Sequence, residues 1–157
     1  MRRATRIRRI AYHEAGCAVA ALALDGVVTS VRIHDQEDGG TVRYRLPDPV
    51  SDVHRIIIAM AGGVAERLRY RSPDYQPSPG VAADERVWLE LTSHLPQNVR
   101  DAYLRKLQAQ VRSLLNVNWS AVEALATALV ERRNIPGAHV LKIVGDVQRW
   151  GIGDRSP

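Results

Sequence analysis

The sequence predicts a mainly α-helical fold with one β-hairpin after the first helix, and three observations support this class. Apolar residues recur at three- and four-residue spacing over most of the chain, which is typical of amphipathic helices. Residues 28–34 and 41–46 instead alternate between apolar and polar residues, as strands do, and Asp38-Gly39-Gly40 between them indicates a tight turn. Proline and glycine separate the remaining helical stretches.

The first helix is predicted from Thr5 to Leu24. It is apolar on every face from Ala15 onward, so we expect it to be buried. It should end at Asp25-Gly26, because glycine readily adopts the left-handed conformation that closes a helix. The hairpin of residues 28–46 follows.

The second helix is predicted to begin at Asp48-Pro49, because a capping aspartate followed by proline at the first helical position is a common helix start. It should run to Tyr70. Gly62 and Gly63 lie in its middle and cost about 1 kcal/mol each relative to alanine, so we expect them to let the first helix approach closely. The predicted buried residues are Val53, Ile56, Ile57, Met60, Val64 and Leu68.

The residue pattern of the second half of the chain predicts helices only. Residues 71–79 contain three prolines and should form a loop. A third helix should follow from Val81 to Ser93, with Asp84 near its N-terminal end. Three further helices, predicted as a supporting bundle, are Gln97–Leu115, Ser120–Arg133 and Ala138–Arg149.

The composition is that of one globular domain. A hydrophobic content of 45% and a charged content of 25% over 157 residues are ordinary values. The arginines among the first nine residues account for the formal net charge of +5, so no basic face is forced on the rest of the fold. We therefore expect a basic segment at 1–9, solvated rather than binding nucleic acid or lipid, a domain at 10–149 and a tail at 150–157.

The sequence favours a cytoplasmic location. No stretch approaches the roughly 20 uncharged apolar residues that a membrane-spanning helix needs, and the N-terminus lacks the apolar core of a signal peptide. A single cysteine, Cys17, agrees with a reducing compartment.

Ionisable residues inside the apolar first helix indicate a chemical site. His13 and Cys17 are one turn apart and share a helix face, with Glu14 beside them. The pattern His-Glu-x-x-Cys differs by one residue from His-Glu-x-x-His, in which two histidines bind zinc and the glutamate is the general base. A cysteine that is merely a small buried apolar residue is the alternative.

The surrounding sequence is similar to a known family. Residues 11–18, Ala-Tyr-His-Glu-Ala-Gly-Cys-Ala, resemble the zinc helix of FtsH-type metallopeptidases, the proteolytic domain of membrane-anchored AAA proteases. Residues 60–68, 80–84 and 125–137 resemble later segments of that domain, although Gly63 stands where the family has arginine. The resemblance extends, with gaps, from about residue 10 to about residue 144.

The resemblance implies a zinc site and a substrate platform. Zinc would be bound by His13, Cys17 and Asp84, with Glu14 as catalytic base. Position alone would assign Asp84 to the helix dipole. A peptide would lie along the hairpin, and a hairpin that only covers the core is the alternative. The candidate substrate contacts are Val28, Val31, Ile33, Thr41, Arg43 and Tyr44.

Two functions follow as hypotheses. The sequence contains no Gly-x-x-x-x-Gly-Lys-Ser/Thr loop for ATP and no membrane anchor. We therefore expect a free-standing zinc peptidase that acts on peptides or unfolded segments. A homo-oligomer and a separate ATPase as partner are both compatible with this expectation. The cysteine side chain is shorter than that of histidine, and a thiolate ligand weakens the Lewis acidity of zinc. The second hypothesis is therefore a pseudopeptidase that binds a peptide or a partner.

Two further possibilities have less support. His54 is the reserve metal ligand, because its helix should pack against the site. A nucleophilic pair of Cys17 and His13 would make a cysteine peptidase, but the two residues share one helix and lack a separate orienting group.

Overall fold

The computed structural model describes residues 3–148, and this part of the chain is mainly helical, as predicted. The expected helix end at Arg149 and the tail at 150–157 lie outside the described residues. The elements are, in chain order, α1 (Arg3–Ala23), β1 (Val27–His34), β2 (Gly39–Arg45), α2 (Asp52–Arg69), α3 (Pro79–Leu91), α4 (Gln97–Val117), α5 (Trp119–Arg132), β3 (Asn134–Pro136) and α6 (Gly137–Gln148).

Helix α1 lies at the centre of the fold, with buried residues from Ile7 to Ala21. Helices α2 and α5 and the hairpin all pack against it. Gly16 allows α1 and α2 to approach each other closely, because a Cβ atom there would lie 2.5 Å from the Cβ of Ala65. Small residues on α1 therefore bring α2, and the side chains it carries, close to His13 and Glu14.

Residues 3–9 of the basic N-terminal segment belong to α1. Arg9 is only 8% exposed, and its guanidinium donates a hydrogen bond to the carbonyl oxygen of Gln76. Arg6 forms an ion pair with Asp38 in the hairpin turn. Arg9 is therefore an exception to the expected solvated segment, in which Arg3 and Arg8 are exposed.

The sheet has a third strand that the sequence did not predict. The strand order is β2-β1-β3, and both pairings are antiparallel. Val31 pairs with Val42 on one side and with Ile135 on the other. Residues 134–136 lie between two predicted helices, and the strand they form is too short for an alternating pattern to show. Strand β2 lies at one edge of the sheet.

The end of α1 and the start of α2 differ from prediction. At the end of α1 the left-handed residue is Asp25, with φ of 60°, rather than Gly26. Gly26 is needed instead for close approach, because its N–H donates to the carbonyl oxygen of Ala21 at 2.8 Å and a Cβ atom would lie 2.7 Å from that oxygen. Helix α2 begins at Asp52 rather than at Asp48-Pro49, because the Ser51 hydroxyl accepts the N–H of His54 and caps it.

Helix α2 is buried over most of its length, although less at its two ends than predicted. Val53 is 38% exposed and Leu68 is half-buried. The other predicted core residues, Ile56, Ile57, Met60 and Val64, are buried.

The loop between α2 and α3 places Asp84. It ends at Ser78, and α3 begins at Pro79, two residues before the predicted start. Helix α3 packs mainly against α2 and contains no fully buried residue. Among the described residues, no helix combines the length and apolarity needed to cross a membrane.

Candidate metal centre

His13, Cys17 and Asp84 converge, as the sequence predicted. One donor atom from each of the three residues lies within 4.8 Å of the other two. Helix α1 supplies His13 and Cys17 one turn apart, and α3 brings Asp84 against them, with its Oδ2 2.9 Å from His13 Nε2. His13 and Cys17 are 3% and 7% exposed, whereas the Asp84 side chain is 26% exposed. The cluster is therefore reached from the side of Asp84.

A buried carboxylate fixes the orientation of His13. Glu66 on α2 is fully buried, and its Oε1 accepts the Nδ1–H of His13 at 2.8 Å. The hydroxyl of Ser78 donates to the same oxygen. The other oxygen, Oε2, accepts the Tyr75 hydroxyl at 2.5 Å and the Ser78 N–H at 3.0 Å. These hydrogen bonds keep Glu66 ionised and leave Nε2 of His13 as the atom that faces Cys17 and Asp84.

The donor set fits a metal ion. Because Nδ1 donates to Glu66, a neutral His13 presents the lone pair of Nε2 to the Asp84 carboxylate, which also carries lone pairs. Asp84 Oδ2 is buried and receives no well-directed hydrogen bond. Cys17 adds a sulfur to the same space. Such a convergence of lone pairs is stable only with a cation between them, either a proton on His13 or a metal ion. Imidazole, thiolate and carboxylate are all zinc ligands.

The pKa values of the ligands show what the metal-free cluster does instead. Burial opposes a charge on His13, but the neighbouring Cys17 sulfur, Asp84 and Glu66 outweigh it and raise the pKa of His13 well above its ordinary value. Burial raises the pKa of the Cys17 thiol to about 11. Burial also opposes ionisation of Glu66, but hydrogen bonds from His13, Ser78 and Tyr75 lower its pKa. The raised pKa of His13 therefore favours a proton on its ring in the absence of a metal.

Glu14 lies beside the cluster and is not one of its ligands. It is 6% exposed, and burial, helped by the charges of Asp84 and Glu66, raises its pKa to about 7. A carboxylate with this pKa can both accept and release a proton at neutral pH. Its side chain lies against β2, because a Cβ atom on Gly40 would be 2.5 Å from Glu14 Cγ.

Glycines surround the His13 ring. A Cβ atom on Gly62 would lie 2.5 Å from His13 Cε1, and one on Gly80 would lie 3.0 Å from Nε2. The expected close approach of α1 is therefore confirmed for Gly62, although it involves a side chain rather than the backbone. It is wrong for Gly63, where a Cβ atom would meet only the Val81 side chain, at an ordinary 3.5 Å.

The predicted substrate contacts divide into two groups. Val28, Val31 and Ile33 are 3%, 0% and 3% exposed and belong to the core, so their side chains line no cleft. The other three are on the edge strand β2, where Thr41 and Arg43 are exposed and Tyr44 is half-buried. A cavity of about 340 Å³ has Asp84 in its wall, together with apolar side chains of Met60, Val81, Trp88 and Leu104.

The remaining histidines do not join the cluster. The reserve ligand His54 lies near the start of α2, away from the three donor atoms. His34 Nε2 is 2.8 Å from the Thr41 hydroxyl in the hairpin. Within residues 3–148, the group of His, Cys, Asp and Glu side chains close enough to share a metal is limited to His13, Cys17 and Asp84.

Three residues of the site carried no predicted role: Glu66, Tyr75 and Ser78. Glu66 had a signal, because it follows Gly62 by one turn and so shares the helix face that packs against α1. A carboxylate on such a face needs buried partners. Tyr75 and Ser78 belong to a loop, where no periodicity indicates direction.

Comparison of the sequence with protein families and curated proteins does not identify this chain. The sequence matches no protein-family profile and no curated protein, so its likeness to FtsH-type peptidases depends on the segments quoted above.

Proposed function

We propose that this chain is a zinc-dependent peptidase domain of the FtsH type that acts on unfolded segments. The observation that carries the proposal is the number of ligands. Three side chains, His13, Cys17 and Asp84, converge, and no fourth candidate joins them among residues 3–148. Structural zinc sites have four protein ligands, whereas catalytic sites have three and keep one position open.

The ligand types favour zinc over other metals. A nitrogen, a sulfur and a carboxylate oxygen are the mixed set that zinc accepts, whereas magnesium and calcium prefer oxygen alone. Zinc, when bound, would supply a Lewis acid for the scissile carbonyl and a water nucleophile at neutral pH. The second shell supports this assignment, because metal-binding histidines usually donate their other ring N–H to a carboxylate, as His13 does to Glu66.

Glu14 is the proton carrier in this proposal. Its pKa of about 7 suits a group that takes a proton from the nucleophile and passes it to the leaving amine. Its burial between the cluster and β2 places it beside the strand on which a peptide would lie.

The edge strand β2 is the substrate platform. Its pairing with β1 leaves the opposite edge available, and an extended peptide can add to such an edge by backbone hydrogen bonds. This mode requires a substrate without secondary structure of its own. It therefore fits peptides and unfolded segments, whether these arrive freely or from a separate ATPase.

The proposal is tested by cleavage of an unstructured, fluorescently labelled polypeptide. Zinc-loaded wild type should cleave it, and Glu14→Gln should lower the rate by about 10²- to 10⁴-fold, the usual contribution of a general acid–base. Glu14→Gln should keep its zinc, because Glu14 is not a ligand. Glu90→Gln, a change at an exposed glutamate of α3, is the matched control and should leave the rate unchanged. Zinc-loaded wild type without activity would reject the peptidase.

One observation favours a second function, a pseudopeptidase that binds peptides or a partner. His13, Glu14 and Cys17 are all less than one-tenth exposed, which restricts access of a scissile bond to the cluster. In that case zinc would stabilise the domain, and peptides would bind equally to wild type and Glu14→Gln. Cys17→His separates the two functions further, because imidazole leaves zinc more Lewis-acidic than thiolate does and should raise turnover only in a peptidase.

A further inference from the structure

Tyr75 connects the protein surface to the buried metal centre. It lies in the loop between α2 and α3, where its ring stacks in parallel on that of Tyr70 at a centroid distance of 6.3 Å. Its hydroxyl donates to Glu66 Oε2 at 2.5 Å. Glu66 is fully buried, whereas Tyr75 is only partly buried. A loop residue therefore supplies one of the hydrogen bonds that hold the carboxylate behind His13.

The two carboxylate oxygens of Glu66 accept hydrogen bonds from different groups. Oε1 faces His13 and also accepts the Ser78 hydroxyl. Oε2 accepts the Tyr75 hydroxyl and the Ser78 N–H. With donors on both sides the carboxylate cannot rotate, and the Nδ1–H of His13 has one direction in which to point. Without Tyr75, Oε2 would keep a single donor.

The same loop also positions the third ligand. Ser78 is the N-cap residue that directly precedes α3, and Asp84 lies on that helix. The Ser78 hydroxyl and N–H both contact Glu66, so one buried carboxylate holds His13 on α1 and the start of the helix that carries Asp84. Arg9 donates to the carbonyl oxygen of Gln76 and fixes the loop to α1 a second time.

We propose that Tyr75 is a positioning residue of the metal centre, which acts through Glu66 so that closure of residues 71–78 and metal binding are one coupled event. The inference rests on the proposed metal centre and extends it. A metal that binds His13 and Asp84 favours the closed loop, because both ligands have the required places only when Glu66 has all of its donors. By linkage, the closed loop favours the metal to the same extent.

The test is a titration of the metal-free full chain with Co²⁺, whose absorption spectrum reports thiolate ligation and coordination geometry. Tyr75→Phe keeps the ring and removes the hydroxyl, and it should weaken Co²⁺ binding about 10- to 100-fold, the usual effect of losing an outer-shell partner. The ligand-field bands should also shift, since the orientation of His13 changes. Tyr70→Phe is the matched control and should change the affinity by less than about twofold, because the hydrogen-bond donors to the Glu66 carboxylate are His13, Tyr75 and Ser78 and not the Tyr70 hydroxyl.

A double-mutant cycle tests whether Tyr75 acts through Glu66. Tyr75→Phe should have no further effect on Co²⁺ affinity in a Glu66→Leu background, because the acceptor of the Tyr75 hydroxyl is absent there. Equal losses in both backgrounds would overturn the proposed route.

Amide exchange of the wild-type chain gives a measurement that needs no variant. Co²⁺ should slow exchange in residues 71–78 much more than in the hairpin turn at 35–38. Unchanged exchange in residues 71–78 on saturation with Co²⁺, or equal affinities of Tyr75→Phe and Tyr70→Phe, would overturn the role of Tyr75. Wild type that binds no Co²⁺ would instead reject the metal centre itself.

Discussion

The His13 ring is constrained on several sides. Glu66 holds one ring nitrogen, Asp84 lies 2.9 Å from the other, and Gly62 and Gly80 leave no room for a Cβ atom beside the ring. A histidine in these surroundings has a single orientation. At the scale of single residues, metal binding at this site would therefore depend on groups that touch His13 as much as on the three candidate ligands.

Gly62→Ala should damage both the fold and the site, because its methyl group would overlap the His13 ring. We expect a loss of about 1–3 kcal/mol of stability, typical of overpacking, and zinc affinity at least about tenfold lower. Gly63→Ala is the control, since its methyl group has ordinary space and alanine favours the helix. Thermal unfolding and zinc titration of both variants measure the difference, and equal effects at the two positions would contradict the packing described here.

Glu14 should make the metal-free protein less stable as the pH rises. Its pKa is about 7 in the folded chain against an ordinary 4.5, so the folded state holds the proton more tightly than the unfolded state does. Glu14 therefore contributes stability that is complete below the unfolded pKa and is lost as the pH rises through the folded one.

Glu14→Gln removes this titration. Relative to wild type, the metal-free variant should gain up to about 3 kcal/mol of unfolding free energy between about pH 5 and about pH 8. Urea unfolding at the two pH values measures it. A difference between variant and wild type that does not change with pH would show that Glu14 titrates normally.

The sequence predicts the site residues on one helix better than those brought together by folding. His13, Glu14 and Cys17 follow from helical spacing alone, because α1 fixes their separation. Asp84 is 67 residues after Cys17 in the chain and was assigned only through resemblance. The contacts of Glu66 with Tyr75 and Ser78 depend on the path of a loop, which local propensity does not determine.

At the scale of elements, the hairpin and α1 form one unit around Glu14. Gly40, at the start of β2, leaves space for the Glu14 side chain, and β2 is an edge strand of the sheet. The geometry of the edge strand and the position of the proton carrier are thus linked.

Gly40→Ala should reduce peptide cleavage without removing zinc. Its methyl group would overlap Glu14 Cγ and lie 2.7 Å from the carbonyl oxygen of Arg32, so the glutamate and the strand must shift. We expect a rate loss of at least about tenfold, part of the acid–base contribution. Gly39→Ala is the matched control, because its methyl group would lie an ordinary 3.7 Å from the nearest atom. A rate loss that is the same in both variants would separate Glu14 from the hairpin.

Most elements could be predicted from periodicity, and the misses have physical causes. Strand β3 has only three residues, and its place in the sheet is set by pairing with β1. The start of α2 was placed too early because Asp48-Pro49 and Ser51 are both acceptable helix starts, and the Ser51 hydroxyl makes the capping bond.

At the scale of the whole molecule, a bound metal would join the first helix to the third. Cys17 and His13 belong to the core of the fold, whereas α3 has no fully buried residue and packs mainly on α2. A ligand on α3 therefore adds a connection that apolar packing does not provide.

Zinc should raise the unfolding temperature of the chain. A ligand that binds only the folded state at 100 times its dissociation constant adds about 2.7 kcal/mol, which corresponds to roughly 5–10 °C for a domain of this size. Calorimetry with and without zinc measures the shift, and His13→Ala should abolish it. A shift that persists in His13→Ala would place the stabilising zinc elsewhere.

The most direct test is a zinc titration of the metal-free protein against a chelator, with wild type, Asp84→Asn and Asp101→Asn compared. Asp84 is the ligand that folding alone brings to the cluster, and Asp101 is an exposed aspartate in the wall of the adjoining cavity. We predict one zinc ion per wild-type chain, affinity at least about tenfold lower in Asp84→Asn, and unchanged affinity in Asp101→Asn. Wild type that binds no zinc, or Asp84→Asn that binds it as tightly as wild type, would contradict a three-ligand metal centre in this protein.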